Sequence, residues 1–223
     1  MQDAGPIHAT HQTFDSDGTP RDTHKMSATV QLAPHMDAAG LQCLRESLQQ
    51  CRCYLEYGSG GSTVYAATVA EPPTIISVES DPVWIERVRD AIGPAHGKLH
   101  LEHCDIGEVG HWGAPKNDGR IADYWKYVAT PWAVATRLEL VPDTILIDGR
   151  FRVASFLLSL VSARIGTRIL FDDYLDRPHY FVAERFCQVA ETRGRMAVFV
   201  AARSYSVADI CQRIAEFSVL PDC

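Results

Sequence analysis

The chain has 223 residues, a length that one α/β domain fills and that is too short for two enzyme-sized domains with a linker. Hydrophobic residues make up 46%, charged residues 22% and aromatic residues 9%, a composition that excludes a disordered chain, collagen and a coiled coil. With 21 Lys and Arg against 28 Asp and Glu the net charge is −7, which argues against a nucleic-acid partner because phosphate binding relies on clustered cations.

Residues 1–25 carry Asp3, Asp15, Asp17, Arg21, Asp22 and Lys25 among Gly, Pro, Thr and Gln, with Ile7 and Phe14 as the sizeable apolar side chains. Such a segment buries too little to offset its ordering entropy, which predicts a disordered extension, or a translation start at Met26. His8, His11 and His24 are then solvated rather than metal ligands. Residues 26–223 read as a single domain. From Asp37 the spacing Leu41, Leu44, Leu48 predicts a short helix, and Cys51 to Tyr57 a strand that runs into the turn Gly58-Ser-Gly-Gly61. A helix over 63–70 ends at Pro72 and Pro73. Thr74 to Glu79 (TIISVE) is a second strand, Pro82 opens a helix to about Ile92, and Lys98 to His103 is a third strand. This βαβαβ order argues a parallel sheet with helices on both faces.

Residues 106–142 loosen into an insertion, predicted as a loop and one irregular helix, that holds three of the four tryptophans, Trp112, Trp125 and Trp132. Asp143 to Asp148 (DTILID) is a fourth strand, 151–165 a helix, Arg168 to Asp173 (RILFDD) a fifth strand and 177–186 a helix. The residues CQVAETRGRMAVFVAA predict an antiparallel hairpin about an Arg-Gly turn, and 207–217 a last helix. The longest apolar run, Val153 to Ala163, is broken by serine and far below the roughly 20 residues of a membrane helix. Without an apolar leader, a cytoplasmic location is expected. Seven cysteines (43, 51, 53, 104, 187, 211 and 223), odd in number and without a C-x-x-C pair, read as free thiols rather than a disulfide framework or zinc site.

Ligands of an open parallel sheet bind beyond the carboxyl ends of its strands, so strand-terminal residues carry the chemistry. Gly58, Ser59, Gly60, Gly61 and Ser62 allow a tight turn and close approach of a ligand to backbone N–H groups. Glu79, 21 residues after Gly58, suits a carboxylate on ribose hydroxyls, with Ser80 beside it and Asp105 past the third strand. These point to a nucleoside ligand. A dinucleotide fingerprint wants a further glycine where Thr63 stands, which weakens a pyrophosphate fit. Glu56, two residues before Gly58, is placed to hold an ammonium group.

Through LEYGSGGST, SVESD, the Asp105-Ile106 pair and the terminal hairpin, the sequence resembles the class I S-adenosylmethionine-dependent methyltransferases over roughly 41–202. The resemblance implies a Rossmann-like α/β sheet of seven strands with strand seven antiparallel. It also implies the glycine turn under S-adenosylmethionine, Glu79 on the ribose and Asp105 with Ile106 near the adenine.

Asp148, Asp172 and Asp173, at the ends of neighbouring strands, form a second constellation. Hard oxygen donors so grouped suit Mg²⁺ or another divalent cation, and the pattern is similar to that of the divalent-metal-dependent O-methyltransferases. Arg150 and Arg152 offer the alternative, internal salt bridges without a metal. Arg150 is also a candidate fork for a substrate carboxylate, and His179 a candidate general base, each set against a structural role; His103 and His111 rank below them. Trp112, Tyr124, Trp125, Tyr127 and Trp132 are candidate pocket walls or plain anchors of the insertion, with Tyr174 a further substrate contact. The expected activity is methyl transfer to an oxygen, or less favourably a nitrogen, of a small molecule. A non-catalytic cofactor-binding protein and an NAD-binding oxidoreductase are the alternatives, and a homodimer is left open.

Overall fold

The computed structural model describes residues 32–93 and 98–223, so the predicted extension over 1–25 and the start at Met26 lie outside the described residues. Asp37 caps the first helix, α1 (Ala38–Leu48), by accepting from Gly40 N at 2.7 Å. Then follow β1 (Cys53–Tyr57), α2 (Gly61–Tyr65), which continues as a wider π turn over Ala66–Ala70, and β2 (Thr74–Glu79). Asp81 caps α3 (Pro82–Ile92) through Val83 N and Trp84 N, with Pro82 in the first turn where its missing N–H costs nothing. β3 (Leu99–His103) leads into the insertion. There two 3-10 turns, His111–Gly113 and Asp118–Asp123, precede α4 (Trp125–Arg137), a helix with Pro131 inside it, in keeping with the predicted loop and irregular helix.

β4 (Thr144–Ile147), α5 (Arg152–Ser162) and β5 (Arg168–Phe171) match the predicted order. The predicted helix over 177–186 is instead a 3-10 segment, Pro178–Arg185; Pro178 starts it, and Tyr180 packs on Phe171 at 5.0 Å. The hairpin β6 (Val189–Arg193) and β7 (Met196–Val200) turns at Gly194, whose φ is +60°. α6 (Val207–Phe217) closes the described chain, capped by Ser206.

The seven strands form one sheet in the order β3-β2-β1-β4-β5-β7-β6, with β7 antiparallel to both β5 and β6. The inner strands β1, β2, β4, β5 and β7 are buried and mostly apolar on both faces, as a sheet covered on both sides requires, while the edge strands β3 and β6 carry polar residues. Leu55, Tyr57, Ile76, Val78, Ile145, Ile147 and Phe199 pack under α4, α5 and α6, while Tyr54, Ile75, Leu146, Leu170 and Val198 pack under α1, the Ala66–Ala70 turn and α3. Strand order reverses between β1 and β4. The loops after these two strands therefore part at the switch point, where a doubly wound sheet takes its ligand. Among the described residues no helix is long and apolar enough to cross a membrane, and none of the seven cysteines is in a disulfide.

Candidate functional site: a cavity at the switch point

A cavity of about 750 Å³ opens at the switch point, within the size range of small-molecule sites. One wall is the glycine turn. Gly58 has φ +90°, and a Cβ on it would lie 2.6 Å from Gly149 Cα, so the β1 and β4 loops touch backbone to backbone. A Cβ on Gly61 would lie 2.1 Å from the Ala33 carbonyl oxygen, because the segment before α1 crosses this turn. Gly60 differs: a Cβ there would meet only Trp84 Nε1, at 4.0 Å, so its backbone is open to a ligand.

Glu56 holds the turn from behind. Fully buried, its carboxylate accepts from the hydroxyls of Ser62, Thr63, Ser77 and Tyr54. Burial raises its pKa and these hydroxyls oppose the rise. Thr63 Oγ1 in turn accepts from Gly60 N at 2.8 Å, so the residue that replaces a fingerprint glycine pins the loop. Trp84 Nε1 donates to Ser59 O at 2.7 Å from the other side.

Glu79 lines the cavity at the end of β2. Its described hydrogen bonds, from Ser80 N, Ser80 Oγ and Asp81 N, all fall on Oε1, leaving Oε2 for a ligand. Burial pushes its pKa from 4.5 to about 7, against the pull of the Asp81 and Ser80 N–H groups. Because the folded state then holds a proton that the unfolded chain releases, this contribution to stability is complete below pH 4.5 and lost as pH rises through about 7. Denaturant midpoints of wild type should therefore fall between pH 5 and pH 8, and Glu79→Gln should remove about 3 kcal/mol of that fall. Equal slopes in the two proteins would contradict a buried, proton-binding Glu79.

The far wall is ionic. Asp148, Asp172 and Asp173 each bring an oxygen within 4.8 Å of the others, as the strand ends predicted. Arg152 Nη2 lies 3.1 Å from Asp148 Oδ1 and its Nη1 lies 3.1 Å from Asp173 Oδ2. Arg195 lies 3.1 Å from Asp172 and 2.8 Å from Asp173, and Arg177 lies 3.4 Å from Asp173. Three acids thus meet three guanidiniums. The donor set does not fit a divalent cation, since each carboxylate already faces a fixed positive charge. Burial raises the pKa of Asp148 to about 8, with Arg152 pulling it down and Asp172 and Asp173 pushing it up. Backbone strain collects here too: Trp112, Phe151 and Asp173 have φ of +57°, +51° and +57°.

Of the predicted site residues, Gly58, Ser59, Gly60, Gly61, Ser62, Glu79, Trp112, Tyr127, Asp148, Arg150 and Asp173 line the cavity, as does the lower-ranked His111. The others need correction. Glu56 sits behind the turn, sealed by its hydroxyl partners, and Asp172 lies beneath the ionic wall, bound to Arg195. Asp105 is drawn off to Arg120 Nη2 at 3.3 Å, while Ile106 joins the core. Ser80 donates to Gly113 O at 2.8 Å, which seats the Trp112 loop. Tyr174 is fully buried against Phe171 and donates to Glu184. Trp125 is exposed and outside the cavity lining. His179 is exposed, with Nε2 3.2 Å from Asp222 O, so it is not placed as a general base. Tyr124 and Trp132 are anchors, through Asn117 O and Ser159 Oγ.

Sequence reasoning missed Leu32, Ala33, His35, Trp84, Arg177 and Arg195, all on the cavity lining. His35 and Trp112, both on the lining, pack with ring centroids 5.8 Å apart. Asp37 accepts from both Gly40 N and Arg195 N and so ties the helix start to the hairpin turn, a pairing across 158 residues that leaves no local signal for Arg195.

Fold and cavity together are of the Rossmann-like methyltransferase type, with a glycine turn after β1, an acid at the end of β2 and an acid after β4. No family model and no curated relative matches the chain. Among solved structures it is similar to a methyltransferase-like protein from Silicibacter pomeroyi, at 32% identity and TM-score 0.77, over 86% of this chain and 99% of that one. The chain belongs to the class I S-adenosylmethionine-dependent methyltransferases. A protein assigned by name to the O-methyltransferases, from Klebsiella pneumoniae, is 18% identical at TM-score 0.46 over 77% of this chain and 84% of its own. An amino pentose methyltransferase from Micromonospora echinaspora is 10% identical at TM-score 0.32 over 59% and 46%. Likenesses at that distance carry no argument about chemistry.

Proposed function

We propose that this methyltransferase acts on an oxygen of a small molecule, with the cofactor along the Gly58–Ser62 and Glu79 wall and the acceptor against the ionic wall. The observation that supports this most is Asp148, a carboxylate at the seam between the two walls whose burial raises its pKa to about 8. In its ionised form such a group is a stronger base than an ordinary carboxylate and can take a proton from a hydroxyl as pH approaches and passes about 8. S-adenosylmethionine supplies the electrophilic methyl, and its sulfonium becomes a neutral thioether on transfer.

The chain's residues do the rest. The open backbone at Gly60 and Glu79 Oε2 bind the nucleoside end, and Arg152 fixes the rotamer of Asp148. His35 and Trp112 exclude water from the lining they share. The arginines take the place that a divalent ion would otherwise fill. In a labelled-methyl assay over a panel of hydroxy compounds, Asp148→Asn should lower turnover about 10²- to 10⁴-fold while keeping affinity for S-adenosylhomocysteine. Turnover by wild type should be the same in Mg²⁺ and in EDTA. Full turnover by Asp148→Asn, or its loss in chelator, would overturn this reading.

A further inference from the structure

We infer that the methyl acceptor carries a carboxylate, held on the ionic wall by Arg150 and Arg177. This rests on the methyl-transfer reading of the cavity and deepens it. Four guanidiniums line the cavity, those of Arg150, Arg152, Arg177 and Arg195. Two are fully engaged. Arg152 donates to the carbonyls of Gly149, Asp172 and Asp148 as well as to its acids, and Arg195 binds Asp172, Asp173 and the His35 carbonyl. Arg177 makes one long bond, at 3.4 Å to Asp173, and is 39% exposed.

Arg150 is the informative one. Its side chain is only 14% exposed, and its one described side-chain partner is Asp222 at 2.9 Å, itself 77% exposed. Its Nε is buried with no partner. An unpaired buried donor is unfavourable, and a ligand that draws the guanidinium inward relieves it by pairing the free Nε–Nη2 edge with two carboxylate oxygens. The same neighbourhood holds Arg177: its Cζ lies 5.9 Å from the Tyr180 ring, next to His179, whose Nε2 shares Asp222 with Arg150. The charges of Arg150, Arg152 and Arg177 all act on the Tyr180 hydroxyl.

Charge balance points the same way. Arg152, Arg177 and Arg195 meet Asp148, Asp172 and Asp173, and Arg150 adds a further cation whose described partner is Asp222 at the rim. Asp222, on Nη1 at the rim, holds the Arg150 guanidinium outward and so competes with an acceptor carboxylate that would draw it onto its Nε–Nη2 edge. A guanidinium fork accepts carboxylate and phosphate alike, so inorganic phosphate is the comparison anion.

The test is a calorimetric titration of the full chain with benzoate, benzamide and inorganic phosphate, with and without S-adenosylhomocysteine. Benzoate should bind at one site and benzamide should not. Arg177→Met should weaken benzoate about tenfold, and Arg177→Lys should restore part of the loss. Asp222→Asn, an exposed change that spares the fold, should strengthen benzoate about two- to fivefold by removing its competitor. No benzoate binding, equal binding of benzamide, tighter binding of phosphate, or indifference to both variants would each overturn the proposal. If benzoate binds as expected while S-adenosylhomocysteine does not, the anion seat stands and the methyl-transfer reading falls.

Discussion

Gly58→Ala should cost about 4 kcal/mol of stability and abolish cofactor binding. The residue sits at φ +90°, where a side chain costs roughly 1–2 kcal/mol by itself. The larger part is contact. The new Cβ would lie 2.6 and 2.7 Å from Gly149 Cα and N and 2.9 Å from Asp148 C, all of them backbone atoms that cannot rotate away. Gly149 cannot retreat, since it is already pressed against the Tyr127 hydroxyl, which a Cβ on Gly149 would approach to 2.0 Å. Relief would require β1 and β4 to separate, and those strands pair directly at the centre of the sheet. Gly60→Ala is the control, expected to stay within about 1 kcal/mol of wild type because only Trp84 lies within reach. Chemical denaturation of the two variants checks this, and equal midpoints would show that the β1–β4 seam is not the rigid element described.

Arg152→Met should cost about 3–5 kcal/mol, the usual penalty for removing one partner of a buried ion pair. The side chain is 6% exposed and engages three carbonyls and two carboxylates. Its loss leaves Asp148 without a described cation and raises the pKa of that acid further, because Arg152 is the group holding it down. The sign follows. The destabilisation should be greatest above pH 8 and shrink on acidification, as Asp148 takes up a proton and no longer needs the guanidinium. A double variant with Asp148→Asn should recover part of the loss, a coupling that a double-mutant cycle measures. A cost below about 1 kcal/mol, or additive single effects, would mean that the ionic wall does not act as one unit.

Periodicity and punctuation carried most of the fold. TIISVE became β2 at its predicted limits, Pro82 began α3 behind its Asp81 cap, and the hairpin fell either side of Gly194. These features depend on neighbours within a few residues, which a sequence displays directly. The strand-end acids Glu79, Asp148 and Asp173 were legible for a related reason, since topology alone delivers strand ends to one edge. What the acids meet there is set in three dimensions. Asp105 pairs with Arg120 across 15 residues, and Asp172 with Arg195 across 23, distances at which the sequence holds no periodic trace. The crossing of Ala33 over Gly61 is of the same kind: the glycine is visible, but the chain that requires it is not. Glu56 misled because a strand-end acid looks the same whether its carboxylate faces a ligand or four hydroxyls. Tyr54, Ser62, Thr63 and Ser77 decide the matter.

The central claim is that the cavity beside the glycine turn binds the methyl-donor cofactor. It is tested most directly by calorimetric titration of S-adenosylhomocysteine into wild type and into Gly60→Ala, with NAD as the comparison ligand. The structure predicts one bound S-adenosylhomocysteine per wild-type chain, no binding of NAD, and loss of binding in a Gly60→Ala protein that remains folded. Unchanged affinity in Gly60→Ala, or binding of NAD in place of S-adenosylhomocysteine, would contradict it.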